Sequence, residues 1–151
     1  MKIEDEIKQT QKFKTSTEKV IVNILYTSNW LQHKQQDFFK SSGITGQQYN
    51  ILRILKGQHP KSISATEIKA RMLDKNSDVS RLLDRLEAKN LITKKTCPAD
   101  KRASDVNIRE EGLELLKSIS KKEKGISNTF LNLSDEEATL LSDLLDKARG
   151  G

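Results

Sequence analysis

The sequence predicts a mainly α-helical fold carrying one small β-hairpin. Three observations support this. Apolar residues recur at steps of three and four along most of the 151-residue chain, the pattern of helices with one buried face. Ser/Thr-x-x-Glu/Gln signatures at Thr45, Ser64 and Ser134 each precede an apolar run and read as capping boxes. Between them, residues 91–108 carry short alternating segments around a polar loop.

The elements follow in chain order. Residues 3–40 read as a helix, because Val20, Ile21, Ile24, Leu25, Ser28 and Leu31 share a face; Trp30, Phe38 and Phe39 add bulk near its end, and Ser41-Ser42-Gly43 stops it. Thr45-Gly46-Gln47-Gln48 opens a short helix with Tyr49, Ile51, Leu52, Ile54 and Leu55, and Gly57 is its expected C-terminal stop. Ser64-Ala65-Thr66-Glu67 starts a helix of about two turns with Ile68 and Met72 inward. Asp74-Lys75-Asn76-Ser77 reads as a turn leading into a further helix. There Val79, Leu82, Leu83 and Leu86 form one stripe, with Asp78, Ser80, Arg81, Asp84 and Arg85 opposite.

Asn90 ends that helix, since Asn tolerates the left-handed backbone next best after Gly. Residues 91–96 read as a strand, 97–104 as a polar loop and 106–108 as the return strand. The hairpin tip then bears Lys101 and Arg102. Residues 110–132 read as a long helix in which Leu116, Ile119, Glu123, Ile126, Phe130 and Leu133 have coiled-coil-like spacing. Glu123 interrupts that seam and Gly125 weakens the helix. Ser134 opens a last helix with Leu140, Leu141, Leu144, Leu145 and Ala148.

Composition narrows the functional classes. Hydrophobic residues at 34%, charged residues at 32% and only two prolines describe a folded, helix-rich chain. No apolar run is long enough for a bilayer, and the opening MKIEDEIKQT lacks the apolar core of a secretory signal. A cytoplasmic location is therefore expected. The single Cys97 fits a reducing compartment. His33 and His59 stand alone, with no ligand cluster nearby, so neither a metal nor another cofactor is expected. Without a phosphate-binding Gly-rich loop or a nucleophile–base arrangement, the chain does not read as an enzyme.

Charge is unevenly placed. Residues 41–109 carry a net +7, residues 1–40 a net +2 and residues 110–151 a net −3. A positive excess confined to one segment marks a surface that faces a polyanion.

Short helix, turn, amphipathic helix and basic hairpin together make a winged helix-turn-helix over residues 41–109. Residues 1–40 and 110–151 form a helical dimerisation region. The second helix of the module hides its apolar stripe and offers Ser77, Asp78, Ser80 and Arg81 to the major groove, where Arg81 can fork onto a guanine. Helix N-termini at Ser64 and Asn76 offer backbone N–H groups to phosphate. Lys75, Arg85, Lys94 and Lys95 neutralise the backbone. On the wing, Lys101 and Arg102 are the contact residues; Arg102 suits a narrow minor groove and Asp100 can fix its aim.

Two other readings compete. The charged face can be only a solvated one, with Arg81 in i,i+3 pairs to Asp78 or Asp84. The whole can be a winged-helix protein-interaction module within an assembly, without specific DNA binding. The local charge excess and the Arg beside the hairpin tip favour nucleic acid. The flanking helices expose apolar faces that the module cannot cover; they can fold back on their own module, but a single recognition helix is a weak reader, which favours a two-fold homodimer. Two recognition helices would then meet successive major grooves roughly 10 base pairs apart.

In order and spacing, the run from Ser77 to Ile92, the wing Asp100-Lys101-Arg102, Arg109-Glu110-Glu111-Gly112 and the run from Leu133 to Glu137 resemble the MarR family of bacterial transcriptional regulators. The resemblance covers nearly the full length. It implies a homodimer of N- and C-terminal helices above two winged lobes, repression at a palindromic operator, and release by a small ligand or by oxidation. It also implies that Arg102 is the minor-groove residue of the wing. Two departures stand out: Asn90 replaces the usual Gly, and Arg109 replaces a Thr that caps the next helix. The peroxide-sensing branch places its cysteine in the N-terminal helix, where this chain has none; Cys97 reads as an incidental wing residue, although Lys94, Lys95 and Lys101 would favour its thiolate. An effector pocket is expected where the dimer helices meet the lobes, with Trp30 and His33 as lining candidates, although Trp30 reads more simply as dimer core.

Overall fold

A computed structural model describes the backbone of residues 1–97, 99–124 and 131–151, and their side chains apart from residues 96, 97 and 100–103. The long first helix of the sequence reading is two helices. α1 spans Ile3–Glu6 and α2 spans Ser16–Lys40, with Thr15 capping α2 by accepting from the Glu18 N–H. The apolar stripe begins only at Val20, so periodicity could not place the start. α1 folds back on α2: Ile3 is buried, Lys19 pairs with Glu4 at 2.6 Å, and the Tyr26 hydroxyl donates to Glu6 at 2.9 Å.

α3 spans Gly46–Gln58 and opens on a complete capping box between Thr45 and Gln48. Gly57 lies inside α3 rather than ending it; the C-cap is His59, and Pro60 has no N–H with which to continue. A two-residue strand, β1 (Ile63–Ser64), leads into α4 (Ala65–Arg71), which Ser64 caps through the Glu67 N–H. α5 spans Val79–Ala88. Asn90 follows with φ of 58°, the left-handed geometry expected of it.

β2 (Ile92–Cys97) and β3 (Asp100–Ile108) form the hairpin. β1 adds to it, giving an antiparallel sheet of order β1-β3-β2, with Ile63 opposite Val106 and Ile92 opposite Ile108. Residues 100–104 are therefore strand rather than loop. Their polar sequence carries no alternation; pairing across the hairpin imposes the strand. A register shift between Lys95 and Cys97 takes up the irregularity near the tip. Two residues are too few for β1 to show a period.

α6 spans Glu110–Lys124 and α7 spans Asp135–Ala148. Of the predicted 110–132 helix, residues 110–124 are helical and 131–132 are not; residues 125–130, with Ile126 and Phe130, lie outside the described residues. α6 begins without the Thr cap of the resemblance. Arg109 instead pairs with Glu111 at 3.2 Å, and this guanidinium holds the Glu111 carboxyl below its ordinary range. Ser134 and Glu137 form a full capping box at the start of α7.

One core unites α3, α4, α5, the sheet and the start of α6. Its centre is Ile51, Leu52, Leu55, Ile63, Ile68, Met72, Leu83, Leu86, Ile92 and Val106. α2 contributes Phe39 at its C-terminal end, and α7 buries no residue. No helix among the described residues is long and apolar enough to cross a membrane.

Candidate nucleic-acid interface

The segment before α5 is built by Asp74. Its Oδ1 accepts from the Asn76 N–H at 2.9 Å, and its carbonyl accepts from the Ser77 hydroxyl at 2.8 Å. Asp78, not Asn76 or Ser77, is the N-cap of α5; its Oδ1 accepts from the Arg81 N–H at 3.2 Å. The first free N–H groups of α5 therefore lie about two residues later than the sequence suggested.

Ser77 is a correction to the list of contact residues. It is 3% exposed. Its hydroxyl donates to Asp74 and accepts from the Gln47 amide at 3.4 Å, so it holds the turn from inside. A small polar residue before a helix gives no sequence signal separating an inward hydroxyl from an outward one.

The rest of α5 follows the predicted division. Val79, Leu82, Leu83 and Leu86 are buried, while Ser80, Arg81 and Arg85 are exposed. Neither guanidinium has an ion pair among the described residues. Asp84, the acidic neighbour proposed for Arg81, pairs with Lys94 of β2 instead. That ion pair also occupies Lys94, which is less open than the sequence implied. Glu87 accepts from the Lys94 N–H at 3.0 Å and joins α5 to β2 a second time. Lys75 is exposed and donates to the Ala70 carbonyl, and Lys95 is exposed on β2. Ser64 is half-buried as the cap of α4.

Asp100, Lys101 and Arg102 occupy the first positions of β3, next to the hairpin turn. The expected Asp100–Arg102 contact and the thiol of Cys97 lie outside the described residues.

α3 supplies contacts that sequence reasoning missed. The Leu73 N–H donates to Asn50 Oδ1 at 2.9 Å, and Gln47 Nε2 donates to Asp74 Oδ2 at 3.4 Å. From its other flank, the Tyr49 hydroxyl donates to Glu123 Oε1 of α6 at 3.2 Å. Burial, together with the Glu123 carboxylate, pushes the Tyr49 hydroxyl above its ordinary range, which keeps it a donor. Polar residues on an exposed-looking helix face gave no hint of partners 23 to 74 positions away.

Trp30 lines an open cavity of about 500 Å³ between α1 and α2, together with Lys2, Lys19, Asn23, Tyr26 and Thr27. That is at the N-terminal segment, away from the expected junction with the lobe. His33 is exposed on α2 and does not line it.

This architecture is that of known proteins. The model of the MarR family matches residues 42–103, from the loop before α3 into the wing. The HTH-type transcriptional repressor MdtR of Bacillus subtilis is 32% identical over 110 residues, which cover 73% of this chain and 70% of MdtR. The fold is shared with the MepR–DNA complex of S. aureus, at a TM-score of 0.72 and 21% identity, covering 92% of this chain and 98% of MepR. It is shared also with Bordetella bronchiseptica BpsR, whose DNA binding is regulated by 6-hydroxynicotinic acid. That match has a TM-score of 0.68 and 20% identity, covering 84% of this chain and 98% of BpsR. A winged helix-turn-helix, a family match on that segment and a relative of this identity over most of both lengths lead to one conclusion: the chain belongs to the MarR family of transcriptional regulators.

Proposed function

We propose that this chain is a transcriptional repressor that binds a palindromic operator as a homodimer and releases it when a small ligand binds. The observation that carries the reading is the two-sided α5. It buries its apolar stripe in the lobe and turns Ser80, Arg81 and Arg85 outward, with both guanidiniums unpaired among the described residues. Laid in a major groove, Arg81 reads a guanine and Ser80 permits close approach. Arg85, Lys75, Lys95, the Asn76 side chain and the free N–H groups that follow the caps Asp78 and Ser64 meet phosphates. Lys94 joins them by exchanging Asp84 for a phosphate. Lys101 and Arg102 bring the wing to the adjacent minor groove, with Asp100 as the group that aims Arg102. Residues 41–109 are the DNA-binding unit in this reading.

Residues 1–40 and 110–151 are the dimerisation region. Its support is apolar surface that the lobe leaves open: Leu25 is 62% exposed on α2, and Leu140 is 60% exposed on α7. A second copy covers both faces by a two-fold contact. Repression is supported by the relative MdtR, DNA binding by the MepR–DNA complex, and ligand response by BpsR.

The test is binding of the full chain to duplex DNA from upstream of its own gene, measured across a salt series. Phosphate-driven binding weakens steeply, with log K falling against log salt by roughly 0.9 per phosphate neutralised. No affinity for that DNA at low salt overturns the reading. Capture of a protein partner by the same preparation would then favour the interaction-module alternative.

A further inference from the structure

α3 lies between two ties that point in opposite directions. Successive side chains on a helix turn by about 100°. With Ile51, Leu52 and Leu55 buried in the lobe, Gln47 and Asn50 fall on one flank of that stripe and Tyr49 on the other. The first flank holds the segment before α5. Asn50 takes the Leu73 N–H, and Gln47 reaches both Asp74 and Ser77. The second flank holds α6 through Tyr49 and Glu123.

Around Tyr49 further contacts join the same elements. Its ring packs on Phe39 at 4.5 Å, and Phe39 meets Phe38 edge to face at 5.1 Å. One residue before Glu123, Lys122 donates to the Phe38 carbonyl at 3.3 Å and to the Ser41 hydroxyl. The end of α2, the start of α3 and the end of described α6 thus meet at one point. Glu123, which interrupts the apolar spacing of α6, is the residue that makes the tie.

We propose that Tyr49 and Glu123 are positioning residues: their hydrogen bond sets the attitude of the winged lobe relative to α6, while Gln47 and Asn50 only hold the segment before α5 within that lobe. This inference rests on the homodimer reading above. In a dimer, the angle between lobe and α6 decides the distance between the two recognition helices, and so the half-site spacing that is bound. Neither residue touches DNA. Their effect falls on spacing preference rather than on base choice.

The experiment uses the full-length chain and a duplex enriched by the wild type from a random-sequence pool. Affinity is compared between that duplex and versions with one base pair added or removed between the half-sites. Tyr49→Phe keeps the ring against Phe39 and removes only the hydroxyl. It is expected to lower the preference for the selected spacing roughly tenfold, with non-specific affinity unchanged. Glu123→Ala matches it, the double variant loses no more, and Glu123→Gln, which keeps an acceptor, stays near the wild type. Asn50→Ala acts within one lobe, so it weakens binding at every spacing and leaves the preference intact. An unchanged preference in Tyr49→Phe and Glu123→Ala, with the wild type discriminating, overturns the inference alone. A wild type that enriches no duplex overturns the functional reading and the inference together.

Discussion

A side chain on Gly112 would begin against the backbone of Leu91. A Cβ there would sit 2.5 Å from the Leu91 carbonyl oxygen and 2.7 Å from Ile108 Cγ1. The same oxygen accepts the Arg109 N–H at 3.0 Å, so it is fixed from the other side. Helix α6 therefore leaves the sheet at a distance only glycine allows. Gly112→Ala is expected to cost about 2 kcal/mol of stability, the usual range for overpacking. Denaturant unfolding with the slope unchanged would measure it. A variant as stable as the wild type would show that α6 can move away freely.

Reading by α5 predicts a contrast between arginines. Arg81→Ala should lose about 1–3 kcal/mol of operator affinity and relax specificity at one base pair. Arg85→Ala should weaken all duplexes alike and reduce the salt slope by about one. Arg102→Ala should weaken operator binding and leave the dimer intact. Titrations against operator and unrelated duplex at several salt concentrations separate these outcomes.

Ser77 should behave unlike its exposed neighbour Ser80. Ser77→Ala removes the buried hydroxyl that bonds the Asp74 carbonyl and the Gln47 amide, and should cost about 1 kcal/mol of stability. Ser80→Ala should leave the melting temperature almost unchanged. Thermal unfolding of the two variants side by side is the measurement.

Asn90 sits at φ 58°. Asn90→Ala should destabilise by about 1 kcal/mol, because a Cβ-bearing residue without a short polar group resists this conformation. Asn90→Gly should be neutral or slightly stabilising. A destabilised Asn90→Gly would mean that the side chain, rather than the backbone, matters there.

The open faces of α2 and α7 predict where a charge breaks the dimer. Leu141→Glu or Leu144→Glu places a carboxylate on a face that α7 leaves exposed among the described residues, with Leu144 53% exposed. Sedimentation should show monomer, while far-ultraviolet circular dichroism keeps the lobe signal. A dimer that persists at micromolar concentration would place the interface elsewhere.

Local chemistry was readable wherever a residue answers to its near neighbours. The boxes at Thr45 and Ser134, the buried stripe of α5 and the left-handed Asn90 all depend on residues within four positions and stand as expected, while at Ser64 only the first half of the expected box is formed. Elements that owe their form to distant partners were not readable. β1 exists because Ile63 meets Val106, and residues 100–104 are strand because β2 lies beside them. Ser77 looks identical to Ser80 in a sequence; Asp74, three positions back, and Gln47, thirty positions away, together hold its hydroxyl inward.

By itself, then, the sequence determined a mainly helical winged helix-turn-helix with its positive charge on the lobe. Periodicity, caps and charge are properties of short windows, and these sufficed for the class of fold and for which side of α5 faces out. The tertiary structure decided what the polar residues are for. It spent Asp84 on Lys94, enclosed Ser77 and gave Glu123 to Tyr49. Those choices are made by packing, which brings together residues that no local pattern connects.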